Sequence, residues 1–229
     1  MAAALAVAAG ASYLAPALSY YSPALRAALG IQTTTLGGNG CALTFDDGPH
    51  AAGTPAVLEE LARHEAHATF FLVGEQVARN PALAAEIVAA GHAIGLHCDR
   101  HRNLLRLGPR AVAEDLARAR GRIEDATQRP IERYRPPYGI FNAAALRIAR
   151  REGWRPLLWT RWGHDWRASA TPESIAAELL GDGVPEGSVL LLHDADDYSA
   201  PASWRNTVAA LPRVLEGLAR EARGLTLDV

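Results

Sequence analysis

The chain contains no lysine: all 23 of its basic residues are arginine. That excludes any mechanism built on a lysine amine, whether a Schiff base, a lysine nucleophile or a P-loop lysine. Cysteine is almost as scarce. Cys41 and Cys98 are too few for a disulfide framework, and their spacing fits neither a zinc ribbon nor a CxxC redox pair, so both are expected as free thiols that leave the compartment open. An excess of positive charge is missing too, because 23 basic side chains face 25 acidic ones for a net charge of -2. That balance offers no reason to expect nucleic acid as a partner. No repeat, no low-complexity tract beyond an alanine bias and no feature pointing to an oligomer is present.

What remains is a chain of 229 residues, 49% hydrophobic and 21% charged, which is neither disordered nor fibrous. Its size suits one large domain, or one medium domain with an appendage, burying roughly 70% of the surface its unfolded form exposes. Residues 2 to 25 carry no charged side chain, and the first charge is Arg26. The run is long enough for the roughly 20 residues of a bilayer-spanning helix. It is mostly alanine, however, and Gly10, Ser12, Pro16, Ser19, Tyr20, Tyr21, Ser22 and Pro23 interrupt it, which weakens insertion. A basic flank of the kind that opens a cleaved signal peptide is absent. Two expectations therefore stand together: membrane contact through residues 2 to 25, or an apolar helix packed on the outside of the domain. The polar, glycine-rich stretch QTTTLGGNG at 32 to 40 reads as a linker, dividing the chain into a segment 1–39 and a domain 40–229.

Beyond residue 40, short apolar runs alternate with longer amphipathic ones. Strands are expected at 41–45, 68–73, 93–97, 133–135, 157–160, 189–193 and 225–229, and helices at 55–64, 81–90, 109–126, 143–152, 172–180 and 204–220. Thr54-Pro55, Asn80-Pro81 and Thr171-Pro172 each offer a cap residue ahead of a first-turn proline, and Gly91 and Gly153 close two helices. Near-continuously apolar strands separated by helices make the class α/β with a parallel sheet. Seven strands point to barrel-like closure, although an open doubly wound sheet shares the alternation.

The conspicuous polar residues follow the strands at one end. Asp46-Asp47-Gly48-Pro49-His50 follows CALTF, His97 ends AIGLH with His101 four residues on, and Arg135-Pro136-Pro137-Tyr138-Gly139 follows RY. Asp165-Trp166 lies beyond LLWT, and VLLL ends in His193-Asp194. In a parallel α/β sheet the carboxyl ends of the strands share one rim, where active sites are built. One carboxylate with two imidazoles is a ligand set for catalytic zinc, which leaves a fourth position to water. HxxxH places both rings on one face if the segment is helical. On an extended stretch the two aspartates point in opposite directions, so one is expected to ligate while its neighbour accepts a proton from the activated water. Taken singly, HxxxH is a weak signal and DDGP reads equally well as a turn; the weight lies in their joint occurrence at successive strand ends.

TFDDGPH (44 to 50), HCDRH (97 to 101), RYRPPYG (133 to 139), the DW of WGHDW (162 to 166) and LLLHD (190 to 194) resemble, in order, the five motifs of the polysaccharide deacetylase family, the NodB-homology or carbohydrate esterase family 4 enzymes. The resemblance covers about two-thirds of the chain. It implies a distorted (β/α)7 barrel and metal-dependent removal of an acetyl group, most often from N-acetylglucosamine in chitin-like glycans or peptidoglycan. With it come one divalent metal, Zn²⁺ foremost with Co²⁺ or Ni²⁺ as alternatives, an acetylated glycan as partner, and a place in the bacterial cell envelope or outside the cell, with the cytoplasm left open.

By the same resemblance Asp46 is the general base, Asp47, His97 and His101 are the metal ligands, and Arg135 holds Asp46 in place. The backbone N-H of Tyr138 helps stabilise the oxyanion, with Pro137 beside it. His193 is the general acid and Asp165 favours its imidazolium form, while Trp166 and Leu191 wall the acetyl pocket. An amide nitrogen leaves poorly unless protonated, so an acid facing the base is what the chemistry requires.

Several positions depart from the family pattern or stand beside it. Cys98 occupies the place of a Ser or Thr, which implies altered tuning of the metal site, with the thiol expected to point away from both histidines. Trp162 replaces an Asp of the fourth motif and reads as a platform for a sugar ring or as a rim aromatic. Cys41, about 16 Å before Asp46 along an extended chain, is expected at the opposite end of the barrel from Cys98. His50 is a candidate neighbour of the first motif, His64, His67 and His92 read as surface or strand-start residues, and Arg118, Arg120 and Arg122 as a solvated helix face. The motifs also fit an O-acetyl xylan ester, a formamido sugar lipid or another small amide as substrate. A glycan-binding barrel without catalysis is the alternative of another class, against which the intact triad, base and acid weigh.

Overall fold

The computed structural model describes residues 10, 12–221 and 223–229. Within them one sheet of seven strands forms: β1 (Cys41–Asp46), β2 (Thr69–Val73), β3 (Ala93–Cys98), β4 (Arg133–Tyr134), β5 (Arg155–Pro156), β6 (Arg161–Trp162) and β7 (Ser188–His193). Every pairing is parallel, in the order β5-β4-β3-β2-β1-β7-β6. Helices α1 (Pro23–Leu29), α2 (Gly53–Arg63), α3 (Gly74–Arg79), α4 (Pro81–Ala89), α5 (Pro109–Thr127), α6 (Ala143–Glu152), α7 (Pro172–Leu180) and α8 (Ser203–Arg220) accompany it. This is the distorted (β/α)7 barrel. Each residue of β1 and β2 is buried, as a parallel strand covered on both faces requires. Leu43, Phe45, Phe70 and Leu72 pack into the large core shared with the helices, whereas Ala42, Phe71, Leu157, Val189 and Val229 form a small cluster of their own.

Two expectations about strands are corrected. Residues 157–160 are not a strand; they link β5 and β6, which lie at opposite edges of the sheet. Residues 225–229 are not one either, for Leu225 makes only an isolated bridge with Cys41. Of the expected helix starts, Thr171 caps α7 in a full capping box with Ser174, whereas Thr54 and Pro55 fall inside α2 and the Asn80 side chain caps nothing. Gly153 closes α6 in the left-handed conformation, the state in which glycine carries no steric penalty.

The stretch expected as a linker is built into the barrel. Gln32 N-H donates to the Pro156 carbonyl (2.9 Å) and Leu158 N-H to that of Gln32 (2.8 Å), while Thr35 N-H reaches the Gly187 carbonyl (2.9 Å). Residues 32 to 35 thus lie across the gap between the end of β5 and the start of β7. Upstream, Ser22 accepts from Leu25 N-H to cap α1, Pro23 stands in its first turn and Gly30 ends it. The start of the apolar run, residues 1–9 and 11, lies outside the described residues, and among those described no helix is long and apolar enough to cross a membrane. Both cysteines are free and buried, Cys41 at the first residue of β1 and Cys98 at the last of β3.

Candidate active site

Asp46 ends β1, and Asp47 follows it with φ 81°. This left-handed backbone is uncommon for a residue with a side chain and is a form of strain found at functional sites. It corrects the expectation that the two carboxylates diverge. Strict strand alternation would send Asp47 away from the cavity, but the reversal of φ lets both aspartates line it. Gly48 permits the turn for a separate reason: a Cβ there would meet the Asp194 carboxylate at 2.3 Å.

The helical condition on HxxxH is not met, and the strand expected at 93–97 is what carries the first histidine. His97 lies on β3, and His101 lies in the irregular loop beyond it. Their convergence comes from the loop, which is held by buried charge. Asp99, 1% exposed, accepts from Arg118 Nε (3.1 Å) and Arg122 Nη1 (2.7 Å), and its backbone N-H donates to Asp115 (2.8 Å). Arg118 and Arg122 are therefore not simply a solvated face; Arg120 pairs with Glu124 and Glu152 on the outside of α5.

Asp47 Oδ1 lies 3.4 Å from His97 Nε2 and 3.5 Å from His101 Nε2. Nδ1 of His97 donates to the Arg135 carbonyl (2.8 Å), which leaves Nε2 as the ring nitrogen facing Asp47. Burial pushes the His101 imidazole down to about 4, beyond what neighbouring Asp47 restores, so this ring is neutral and able to donate a lone pair. For Asp47 burial works upward, but the surrounding imidazoles, His97 foremost and then His193 and His101, prevail and hold the carboxyl below its usual range. Among the described residues, Asp47 Oδ1 has no hydrogen-bond partner although it is buried. A buried, ionised oxygen without a donor, facing two imidazole nitrogens, fits a divalent cation.

Behind the cavity, fully buried Arg135 donates from Nη1 to Asp46 Oδ1 (2.7 Å) and Thr44 Oγ1 (2.9 Å), and from Nη2 to the Leu158 carbonyl (3.2 Å). Across it, His193 Nδ1 donates to Asp165 Oδ1 (2.9 Å). Tyr138, with φ 61°, Trp162, Trp166, Leu191 and His193 complete the lining drawn from the motifs. Arg135 and Asp165 support lining residues from behind, and Pro137 is buried outside the lining. Sequence reasoning missed Tyr20, Trp159, Tyr198 and Ser199, which also line the cavity. Tyr198 stacks on His101, with centroids 4.5 Å apart and 14° between planes, while its hydroxyl donates to Glu75 (2.7 Å). His50 stays out of the lining, its Nδ1 accepting from Gly53 N-H (2.8 Å) and its Nε2 facing Asp196.

The polysaccharide deacetylase family model matches residues 34–157. The chain belongs to this family. A chitooligosaccharide deacetylase of Azorhizobium caulinodans is 36% identical over 193 residues, covering 81% of this chain and 90% of that one. A peptidoglycan-N-acetylglucosamine deacetylase of Bacillus cereus is 34% identical over 182 residues, covering 79% and 82%. The crystal structure of a peptidoglycan N-acetylglucosamine deacetylase in complex with an N-hydroxybenzamide superposes with a TM-score of 0.79 at 26% identity, over 86% of this chain and 90% of that one. This polysaccharide deacetylase family member therefore shares sequence with chitooligosaccharide and peptidoglycan-N-acetylglucosamine deacetylases, and its fold with a peptidoglycan N-acetylglucosamine deacetylase.

Proposed function

We propose that the protein is a metal-dependent hydrolase removing N-acetyl groups from N-acetylglucosamine-containing glycans, chitin-like oligomers or peptidoglycan. The observation that carries this reading is the unpartnered Asp47 oxygen facing two imidazole nitrogens, at the edge of a cavity that also holds a second carboxylate and a third imidazole. The names of the relatives support the substrate class. Such a substrate puts the enzyme in the bacterial cell envelope or outside the cell.

Asp47, His97 and His101 would hold the cation, Zn²⁺ foremost. When bound it supplies Lewis acidity and lowers the pKa of water towards about 7. Asp46 accepts the proton of the attacking water and is kept in position by the buried Arg135 guanidinium. His193 carries a proton on Nε2 and delivers it to the amine nitrogen as the C-N bond breaks, while Asp165 stabilises the imidazolium. The backbone N-H of Tyr138 serves the oxyanion, and Trp166 and Leu191 enclose the methyl of the acetyl group.

Acetate release from N-acetylglucosamine oligomers and from peptidoglycan, with Zn²⁺ or Co²⁺ supplied, tests the proposal. Asp46→Asn is expected to abolish release while sparing glycan binding. Wild-type protein that releases no acetate from either substrate contradicts it.

A further inference from the structure

One wall of the cavity comes from none of the motifs. Tyr20 precedes the matched region 34–157, yet it lines the same cavity as Asp47 and His101. Its ring lies 6.1 Å from that of Trp162 with 28° between planes, and edge-on to Trp159 at 6.3 Å and 76°. The segment that carries it is fastened at both ends. Tyr13 donates its hydroxyl to the Leu107 carbonyl (2.8 Å) and accepts from Asn142 Nδ2 (2.9 Å). Downstream, Arg26 donates to the carbonyls of Ser19 and Tyr20, each at 3.0 Å, and Gln32 is tied into the barrel at Pro156 and Leu158. Tyr20 is thus held against the rim from two directions.

The cavity measures about 250 Å³, below the roughly 300–1,000 Å³ of pockets that enclose drug-sized ligands, and it suits one acetylated sugar rather than a stretch of polymer. His101 and Tyr138, two of its lining residues, also line a neighbouring hollow of about 650 Å³ with Arg102, Asn103 and Arg106. Tyr138, 54% exposed, borders both hollows, while Tyr20 stands with Trp159 and Trp162 in an aromatic wall of the first.

Resting on the deacetylase reading, we infer that Tyr20 is a specificity-determining residue: it closes the cleft beside Trp159 and Trp162, so that the reacting sugar is a chain end and the glycan leaves across Tyr138 into the second hollow. The N-terminal segment, outside the region shared with the family model, is then part of the substrate site. Tyr20, packed on Trp162, completes an apolar wall beside the terminal ring.

The test uses the full chain, loaded with Zn²⁺, acting on the N-acetylglucosamine pentamer labelled at its reducing end, with the deacetylated position read by tandem mass spectrometry. Wild type is expected to deacetylate one terminal sugar. Tyr20→Ala is expected to spread the reaction to internal sugars and to raise the pentamer-to-dimer ratio of kcat/KM by about fivefold or more; Tyr20→Phe keeps the wild-type pattern. Internal deacetylation by wild type, or an unchanged pattern and ratio in Tyr20→Ala, overturns the inference. A second arm needs no turnover. In the Asp46→Asn background, tryptophan fluorescence is titrated with dimer and pentamer, and Tyr20→Ala is expected to gain affinity for the pentamer alone, by about fivefold or more. No gain overturns the inference. Absence of acetate release by wild type counts against the deacetylase reading, and the binding arm still decides the role of Tyr20.

Discussion

Asp165 grips His193 twice: its Oδ1 accepts from the ring Nδ1 (2.9 Å) and its Oδ2 from the backbone N-H of the same residue (2.7 Å). Thr207 donates its hydroxyl to that second oxygen (2.8 Å). Burial alone would lower the imidazole, but Asp165 foremost, then Asp47 and Asp46, push it up to about 10. A general acid held this way keeps its proton well above neutrality, so the alkaline limb of kcat/KM is expected near pH 10. Asp165→Asn should bring that limb down towards the ordinary imidazole value of about 6.5. A limb unmoved by the substitution contradicts the assignment.

The same pair makes stability depend on pH. Because the folded value lies above the unfolded one, the imidazolium contributes its full stability below about pH 6.5 and loses it as pH rises through about 10. Urea unfolding at pH 6 and pH 10 should show a decline in wild type that is smaller in Asp165→Asn. Equal declines in the two proteins contradict the linkage.

Arg135 and Asp46 form a buried ion pair, and the guanidinium also donates to Thr44, Leu157 and Leu158. Arg135→Met leaves the Asp46 carboxylate buried without its partner, a change that costs about 3–5 kcal/mol. Combining Arg135→Met with Asp46→Asn should recover part of the loss, because the two sites are coupled. Denaturant unfolding of both single variants and the double variant measures this. Additive losses contradict the coupling.

The loop carrying His101 is expected to depend on residues that never touch the cation site. Asp99, gripped by Arg118 and Arg122 from α5, fixes the path of the chain between His97 and His101. Arg122→Ala should weaken Zn²⁺ binding by about 10–100-fold, the usual effect of removing an outer support of a metal site. Competition with a chromogenic chelator reads the affinity directly. Wild-type affinity in Arg122→Ala shows that the loop holds its shape without the clamp.

Much of this arrangement was legible in the sequence because the chemistry sits where strand and loop meet. Asp46, Asp47, His97 and His193 stand at or beside the ends of β1, β3 and β7, whose uninterrupted apolar runs mark them as buried strands. Two-residue strands carry no periodicity, so β5 and β6 were displaced onto the apolar residues between them. Residues 225–229 read as a strand on apolar content alone, which does not encode whether a neighbouring edge is free to pair. The partner of Arg118 and Arg122 was hidden because Asp99 reaches them across elements rather than along a helix face. Tyr20 and Tyr198 had no local signal at all: an aromatic at the end of a short 3-10 helix or in a turn acquires its neighbours only from the fold. The direction of Asp47 was misjudged because alternation assumes extended backbone, and φ reverses there.

The central claim is that Asp47, His97 and His101 together hold one divalent cation. Calorimetric titration of metal-stripped protein with Zn²⁺ tests it most directly, alongside Asp47→Ala and the pair His97→Ala and His101→Ala, with circular dichroism confirming that each variant is folded. One tight site per chain in wild type, lost in every variant, is the expected result. Folded variants that bind Zn²⁺ as wild type does, or a wild type that binds none, would contradict it.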